Sequence, residues 1–367
     1  MPTFDTGVPG ASLGCGSGMP FRAGGIQFRF IMKYSPILLV TLISVLVSAG
    51  CSAFKGAEAA KPEMTRCQHE LSTIPEVAAA AHKSRNKGAE QSLQGMEIAL
   101  TINRMVRSSV DPDRDQDDWC YTENTRENFH KLLNALKQND LPPTVDFLAG
   151  ESLDATVQEE WLASGNLIGS MTYAGSSVKK GNAQDFITTL TRNEQALAPL
   201  WGKFERKRKY FRYPGLKLGM DDKRRREIRT FLIQNGYLEV PATIDSRDDD
   251  FTQPYCAALA RGDQMCAAFI TATFKSCLLD KTMKARMAAR DIAGRDVKQI
   301  LMIQANQLTS DLLDELLRWY KAMGVRFISL DEALSDPFYA TEEVTNTANQ
   351  IIWETKRAQL GVSAAQQ

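Results

Sequence analysis

A chain of 367 residues, 43% hydrophobic and 24% charged, has the apolar material for one large globular domain or two smaller ones. Its 44 Lys and Arg balance 44 Asp and Glu, so no net field recruits a polyanion, and no nucleic-acid partner is expected.

Residues 1–31 are Gly-rich, carry no helix or strand pattern, and are expected to be an extension ahead of the true start at Met32. Met32 to Cys51, MKYSPILLVTLISVLVSAGC, has one Lys and then an apolar run ending in small residues, the layout of a secretory signal. Its end at Ser48, Ala49, Gly50 and Cys51 resembles a bacterial lipoprotein signal, which implies lipidation of Cys51. Ser48 stands where Leu is usual, and an ordinary cleaved signal or an uncleaved anchor competes with this reading. The resemblance implies an outer-membrane lipoprotein facing the periplasm, because Ser52 rather than Asp follows the Cys. Export would expose Cys67, Cys120, Cys256, Cys266 and Cys277 to oxidation. An odd number leaves at least one unpaired, and Cys266 and Cys277, about three turns apart on one helix, cannot bridge each other.

Residues 52–93 read as a tether or surface helix, and a packed domain over 94–340 follows. The stretch Gly95 to Met105, GMEIALTINRM, predicts a strand buried on both faces that ends in a polar tip. A helix is predicted over Thr125 to Gln138, a strand over Thr144 to Leu148, a helix over Asp154 to Ala163 and a strand over Leu167 to Gly169. Helix Ala183 to Leu197, strand Tyr210 to Arg212, helix Asp221 to Gln234 and strand Tyr237 to Ile244 come next. A long helical stretch, Tyr255 to Ile292, leads to strand Gln299 to Ile303, helix Ser310 to Met323 and strand Arg326 to Ser329. Gly236 and Gly324 occupy helix C-cap positions, and Thr341 to Leu360 predicts a final helix in the 341–367 tail. Strands alternating with helices of this length imply parallel βαβ units.

In such folds the residues just past each strand's C-terminal end face the ligand. Here they read TINR at Thr101, SMTYAG at Ser170, FRYP at Phe211, TIDSRDD at Thr243 and LMIQAN at Leu301. Together with GVRFISLDEALSDPFY, and over a span of Gly95 to Tyr339, they resemble the polysaccharide deacetylases of the NodB homology class. The resemblance implies an α/β fold, a distorted (β/α) barrel, and hydrolysis of sugar N-acetyl groups at a divalent metal. It equally implies that the chemistry has been lost. Asn103 and Arg104 stand where the family has its base Asp and a metal-binding Asp, and Met171 and Gly175 replace the two metal-binding His. Gln304 replaces the His that protonates the leaving amine, while Arg212, Pro214, Asp245 and Asp248 match the pattern, with Asp249 in place of the usual Trp.

An amide is hydrolysed at neutral pH by a metal-activated water, and a zinc-like ion needs three protein ligands with lone pairs. Arg104 has no acceptor, Gly175 has no side chain and Met171 offers a soft thioether. Asn103 and Gln304 cannot exchange a proton as base or acid. The expectation is a non-catalytic envelope protein without cofactor that binds glycan or scaffolds a protein partner, membrane-held by its lipid. Tyr173, Arg212, Tyr213, Asp245 and Gln304 are the candidate glycan contacts, against the competing reading that Arg212 and the acids only brace the fold. The alternative is an active carbohydrate N-deacetylase, with zinc or another divalent metal held by a rebuilt site around Asp245, Asp248 and Asp249.

Three smaller signals have bland explanations. The acids from Asp111 to Asp118 lack the Gly and the Glu of a calcium loop. The basic runs KFERKRK at Lys203 and KRRREIR at Lys223 read as solvated faces, and the Met and Cys residues between Met265 and Met287 as core packing.

Overall fold

The structure is a computed structural model that describes residues 67–74, 77, 93–103, 125–175, 182–216 and 222–340. The extension, the signal with Cys51, Arg104, the Asp111 to Asp118 run and the tail beyond Ala340 lie outside those residues.

Strand β1 (Glu97–Asn103) is the centre of the sheet, because its apolar residues alternate between two cores. Ile98, Leu100 and Ile102 face the outer helices, while Ala99 packs inside the curl with Val145, Phe147, Met171, Tyr210 and Ile300. Thr101 and Asn103 fall in the same phase as Ala99, which points the strand's polar end into the interior.

Helix α1 (Thr125–Gln138), β2 (Val145–Leu148), α2 (Ala155–Ala163), β3 (Leu167–Ser170), α3 (Ala183–Trp201), β4 (Lys209–Phe211), α4 (Asp222–Gln234) and β5 (Tyr237–Glu239) make up the first half. The second half is β6 (Ile244–Asp245), α5 (Asp248–Ala260), α6 (Gln264–Ala293), β7 (Gln299–Gln304), α7 (Gln307–Ala322), β8 (Arg326–Ile328) and the short α8 (Leu330–Leu334). All pairings are parallel, in the order β5-β4-β3-β2-β1-β7-β6, with β8 lying against the first residues of β1. The sheet curls with its helices outside, as the distorted (β/α) barrel.

Two predicted elements are divided. Tyr237 to Ile244 is two strands rather than one, for Pro241 lacks an N–H and interrupts the ladder. The halves serve opposite edges of the curled sheet: β5 pairs with β4, and β6 pairs with β7. The long helical stretch breaks at Gly262, whose φ of 70° is left-handed, and Asp263 restarts it as N-cap by accepting from the Cys266 N–H at 2.9 Å.

The expected tether is partly packed. Within 52–93, residues 67–72 are helical, and Cys67, Leu71 and Ile74 join the outer core. Cys67 is disulfide-bonded to Cys266 at a Cα separation of 5.8 Å, so chain ahead of residue 91 is fastened to α6. Cys256 is also disulfide-bonded. Of the predicted core positions on α6, Cys266 and Cys277 are buried, whereas Met265 and Met287 are 53% and 60% exposed and belong to its outer face. Among the described residues no helix is long and apolar enough to cross a membrane.

Candidate functional site

The C-terminal ends of the strands gather Asn103, Ser170, Arg212, Asp245 and Gln304 around the mouth of the barrel. Arg212 is fully buried there. Its Nη1 donates to Asn103 Oδ1 at 2.9 Å, its Nε to the Val240 carbonyl at 3.3 Å and its Nη2 to the Pro241 carbonyl at 3.2 Å. The guanidinium lies 4.0 Å from the centre of the Phe147 ring. Phe147 can lie there only because residue 169 is Gly: a Cβ at Gly169 would meet the ring at 2.5 Å. Burial pushes the Arg212 pKa down to about 9, opposed by the charges of Asp245 and Asp146, so the cation persists at neutral pH.

This arrangement corrects the candidate glycan contacts. Arg212 has no exposed surface, and Tyr213 packs edge-on to Phe211 at 4.9 Å with its hydroxyl donating to Glu239 at 3.3 Å. Neither side chain can reach a sugar at the mouth. Tyr173, Asp245 and Gln304 remain partly exposed. One face of the Tyr173 ring is covered by the Arg192 guanidinium at 3.8 Å.

The two acids differ in environment. Asp245 accepts from the Arg247 N–H at 3.2 Å, and burial holds its carboxyl above the ordinary range. Asp248 is a buried knot. It accepts from the Ser246 hydroxyl, from Asn306 Nδ2 at 2.5 Å and from the Gln304 N–H at 3.0 Å, joining the start of α5 to the end of β7 and the N-cap of α7. Burial, reinforced by Asp249, raises its carboxyl well above the usual range. With those donors in place its oxygens are held inward, which favours bracing over ligand binding.

The positions expected to have lost metal ligands are filled in other ways. Met171 is 1% exposed and packs with Phe147, Tyr210 and Val240. Gly175 closes a turn by donating its N–H to the Thr172 carbonyl at 2.9 Å, at a left-handed φ of 60° that a His there would adopt only with strain. Asn103 donates to the Met302 sulfur at 3.0 Å, and Leu216, Ala242 and Met302 form a small apolar cluster of their own. Among the described residues no group of three or more His, Cys, Asp or Glu is placed to hold a metal ion. Of the three metal-ligand positions, the two described offer a buried thioether and a glycine, which supply none of the nitrogen or carboxylate donors zinc favours.

Sequence reasoning missed two braces at this mouth. Asp146, in the apolar run of β2, contributes to the field on Arg212. Asn193 on α3 donates to the Leu148 carbonyl at 3.2 Å and to Ser170 Oγ at 2.7 Å and accepts from the Gly150 N–H, tying two strand ends together. A lone acid within VDFL was a visible signal; Asn193, among other polar helix residues, left none.

Residues 115–235 match the family model for polysaccharide deacetylase. That stretch, about a third of the chain, is similar to a polysaccharide deacetylase domain, and its described residues lie within the curled parallel sheet and its helices. The matched stretch includes Met171, Gly175, Arg212 and Pro214, whereas Asn103, Arg104, Asp245, Asp248 and Gln304 lie outside it. No curated protein matches the sequence. Similar solved structures include a CE4 family pseudoenzyme from Bacillus anthracis, 14% identical, covering 66% of each chain at a TM-score of 0.41. A family 4 carbohydrate esterase from Streptomyces lividans is 14% identical and covers 70% of this chain and 98% of that one, with a TM-score of 0.41. A peptidoglycan deacetylase from Bacillus subtilis is 12% identical over 72% and 94%, with a TM-score of 0.40.

Proposed function

We propose that this chain is a catalytically inactive polysaccharide deacetylase-like protein of the bacterial cell envelope. It is exported by the 32–51 signal, anchored through a lipid on Cys51, and holds cell-wall glycan at its barrel mouth. The observation that carries the inactive reading is the Arg212 to Asn103 contact: the retained cation faces an amide where the chemistry needs a carboxylate base. The apolar surroundings of Met171 support it independently. The Cys67–Cys266 disulfide supports export, since such bonds persist in oxidising compartments. Asp245, Gln304 and Tyr173 are the glycan contacts of this reading, and Arg212 and Asp248 hold the rim behind them.

The test is an acetate-release assay on N-acetylated chitooligosaccharide and on peptidoglycan, with zinc added, beside co-sedimentation with insoluble cell wall. The expected outcome is no acetate above background and retention on the cell wall that falls in Asp245→Ala. Metal-dependent acetate release that Asp245→Ala abolishes would establish the active alternative instead.

A further inference from the structure

Helix α6 is 30 residues long, and Ile270, Phe274, Cys277 and Leu278 are among the residues that bury one of its faces. The opposite face is not the charged surface expected of a helix that meets only water. Met265, Phe269, Ala272, Ser276, Leu279 and Met283 follow one another along it at intervals of 4, 3, 4, 3 and 4 residues, the spacing of a seam that packs on another helix. All six keep surface toward solvent. Met265 is 53% exposed, Ala272 and Ser276 are exposed, and Phe269, Leu279 and Met283 are partly buried at the flank of the outer core. Met287, 60% exposed, extends the stripe by one turn. Exposed apolar side chains aligned in this way signal a covered surface.

The order of sizes indicates what covers it. Counted from residue 274, Ala272 and Ser276 lie two residues to either side, Phe269 and Leu279 five, and Met265 and Met283 nine. The seam therefore reads the same in both directions: small side chains in the middle, bulky ones on the shoulders, methionines at the ends. A two-fold axis at the level of residue 274 maps it onto itself, so that large faces large and small faces small. Two packed helices also cross at an angle, closest at the crossing point and diverging beyond it, which suits small residues at the centre and long ones outside. The charges beside the seam are balanced, since Lys284 pairs with Asp280 and Lys275 with Glu315. An anionic lipid surface would call instead for a basic surplus there.

We propose that two copies of this chain pair through the outer face of α6, antiparallel about residue 274, with Met265 of each copy against Met283 of the other, Phe269 against Leu279 and Ala272 against Ser276. The seam from Met265 to Met283 is about 27 Å long. One helix per copy falls short of the roughly 800 Å2 per partner of a standard interface, so this dimer belongs to the weak, reversible class. It concerns the outer face of α6 and stands whether or not the mouth binds glycan.

The experiment places a photo-crosslinking amino acid in the full chain at position 265, at position 283 or, as an exposed control, at position 233, and maps adducts by mass spectrometry as protein concentration rises. The expected result is reciprocal: position 265 labels the segment around Met283, position 283 labels the segment around Met265, and position 233 labels neither. Residues 265 and 283 stand about 27 Å apart on one helix, so such adducts join separate copies. Ala272→Glu with Ser276→Glu, at exposed positions, is expected to leave the thermal unfolding midpoint unchanged and to reduce both adducts several-fold. Mixing that variant with Ala272→Lys carrying Ser276→Lys is expected to restore them, since opposite charges then face each other. Adducts that the glutamates leave undiminished, or that the mixed pair does not recover, would overturn the proposal. So would labelling of position 265 by position 265, equal labelling from position 233, an adduct to added anionic phospholipid vesicles in place of a second copy, or no adduct at all.

Discussion

Arg212 carries a full charge into a fully buried place, where Asn103 supplies a side-chain amide acceptor. Such a group is held by its whole surroundings: two carbonyls, the Phe147 face and the more distant charges of Asp146 and Asp245. Arg212→Ala is therefore expected to cost about 2–5 kcal/mol, because it removes a fully buried side chain together with its three hydrogen bonds and its packing against Phe147. Chemical denaturation would read the loss, and a loss within experimental error of zero would contradict the bracing role. Glu239 gives a pH signature. Burial raises its carboxyl from 4.5 to about 7, with Arg229 and Tyr213 opposing. The unfolded chain releases that proton first, so folding loses stability as pH rises from about 4.5 to 7, by at most about 3 kcal/mol. Glu239→Gln is expected to flatten this slope in denaturation midpoints measured across that range; an unchanged slope would locate the titration elsewhere. At this scale the sequence identified which residues gather at the strand ends but not which way they face. Arg212 and Tyr213 were read as sugar contacts because motif position says nothing of burial. The partners that bury them, Phe147, Val240 and Glu239, lie far away in the chain.

The elements follow from simpler rules and were mostly legible. Helix α1 begins and ends where its apolar period does, at Thr125 and Gln138, and Asp154, the predicted first residue of the next helix, is its N-cap and accepts from the Thr156 N–H at 3.0 Å. Periodicity failed where one apolar run serves two neighbours. Tyr237 to Ile244 reads as continuous, yet it is shared between two sheet edges, and Pro241 alone hinted at the break. The packing of residues 67–74 was equally hidden, because it depends on a bridge across 199 residues of sequence. Replacing Cys67 and Cys266 together with Ser is expected to lower stability by about 2–5 kcal/mol and to open residues 67–74 to proteolysis; an unchanged digestion pattern would show that Leu71 and Ile74 suffice. Gly169 tests the stack from the opposite side. Gly169→Ala must displace the Phe147 ring on which Arg212 rests, at a cost of about 1–3 kcal/mol, which the same denaturation experiment would detect.

For the molecule as a whole, the proposed reading separates the barrel from the reaction. The sheet is intact, and among the described residues its mouth is braced by the amides of Asn103 and Asn306, the Met302 thioether and the inward-held carboxylate of Asp248, with Asp245 left partly exposed. Buried polar networks of this kind fix a rim in place, and a fixed rim suits binding as well as it suits catalysis. The central claim is that the mouth lacks the donor set for a catalytic metal, and metal content tests it most directly. The full chain, equilibrated with zinc and then freed of unbound ion, would be measured by elemental analysis beside Asp245→Ala. The account predicts no stoichiometric zinc in either protein; one zinc per chain, lost in Asp245→Ala, would contradict it.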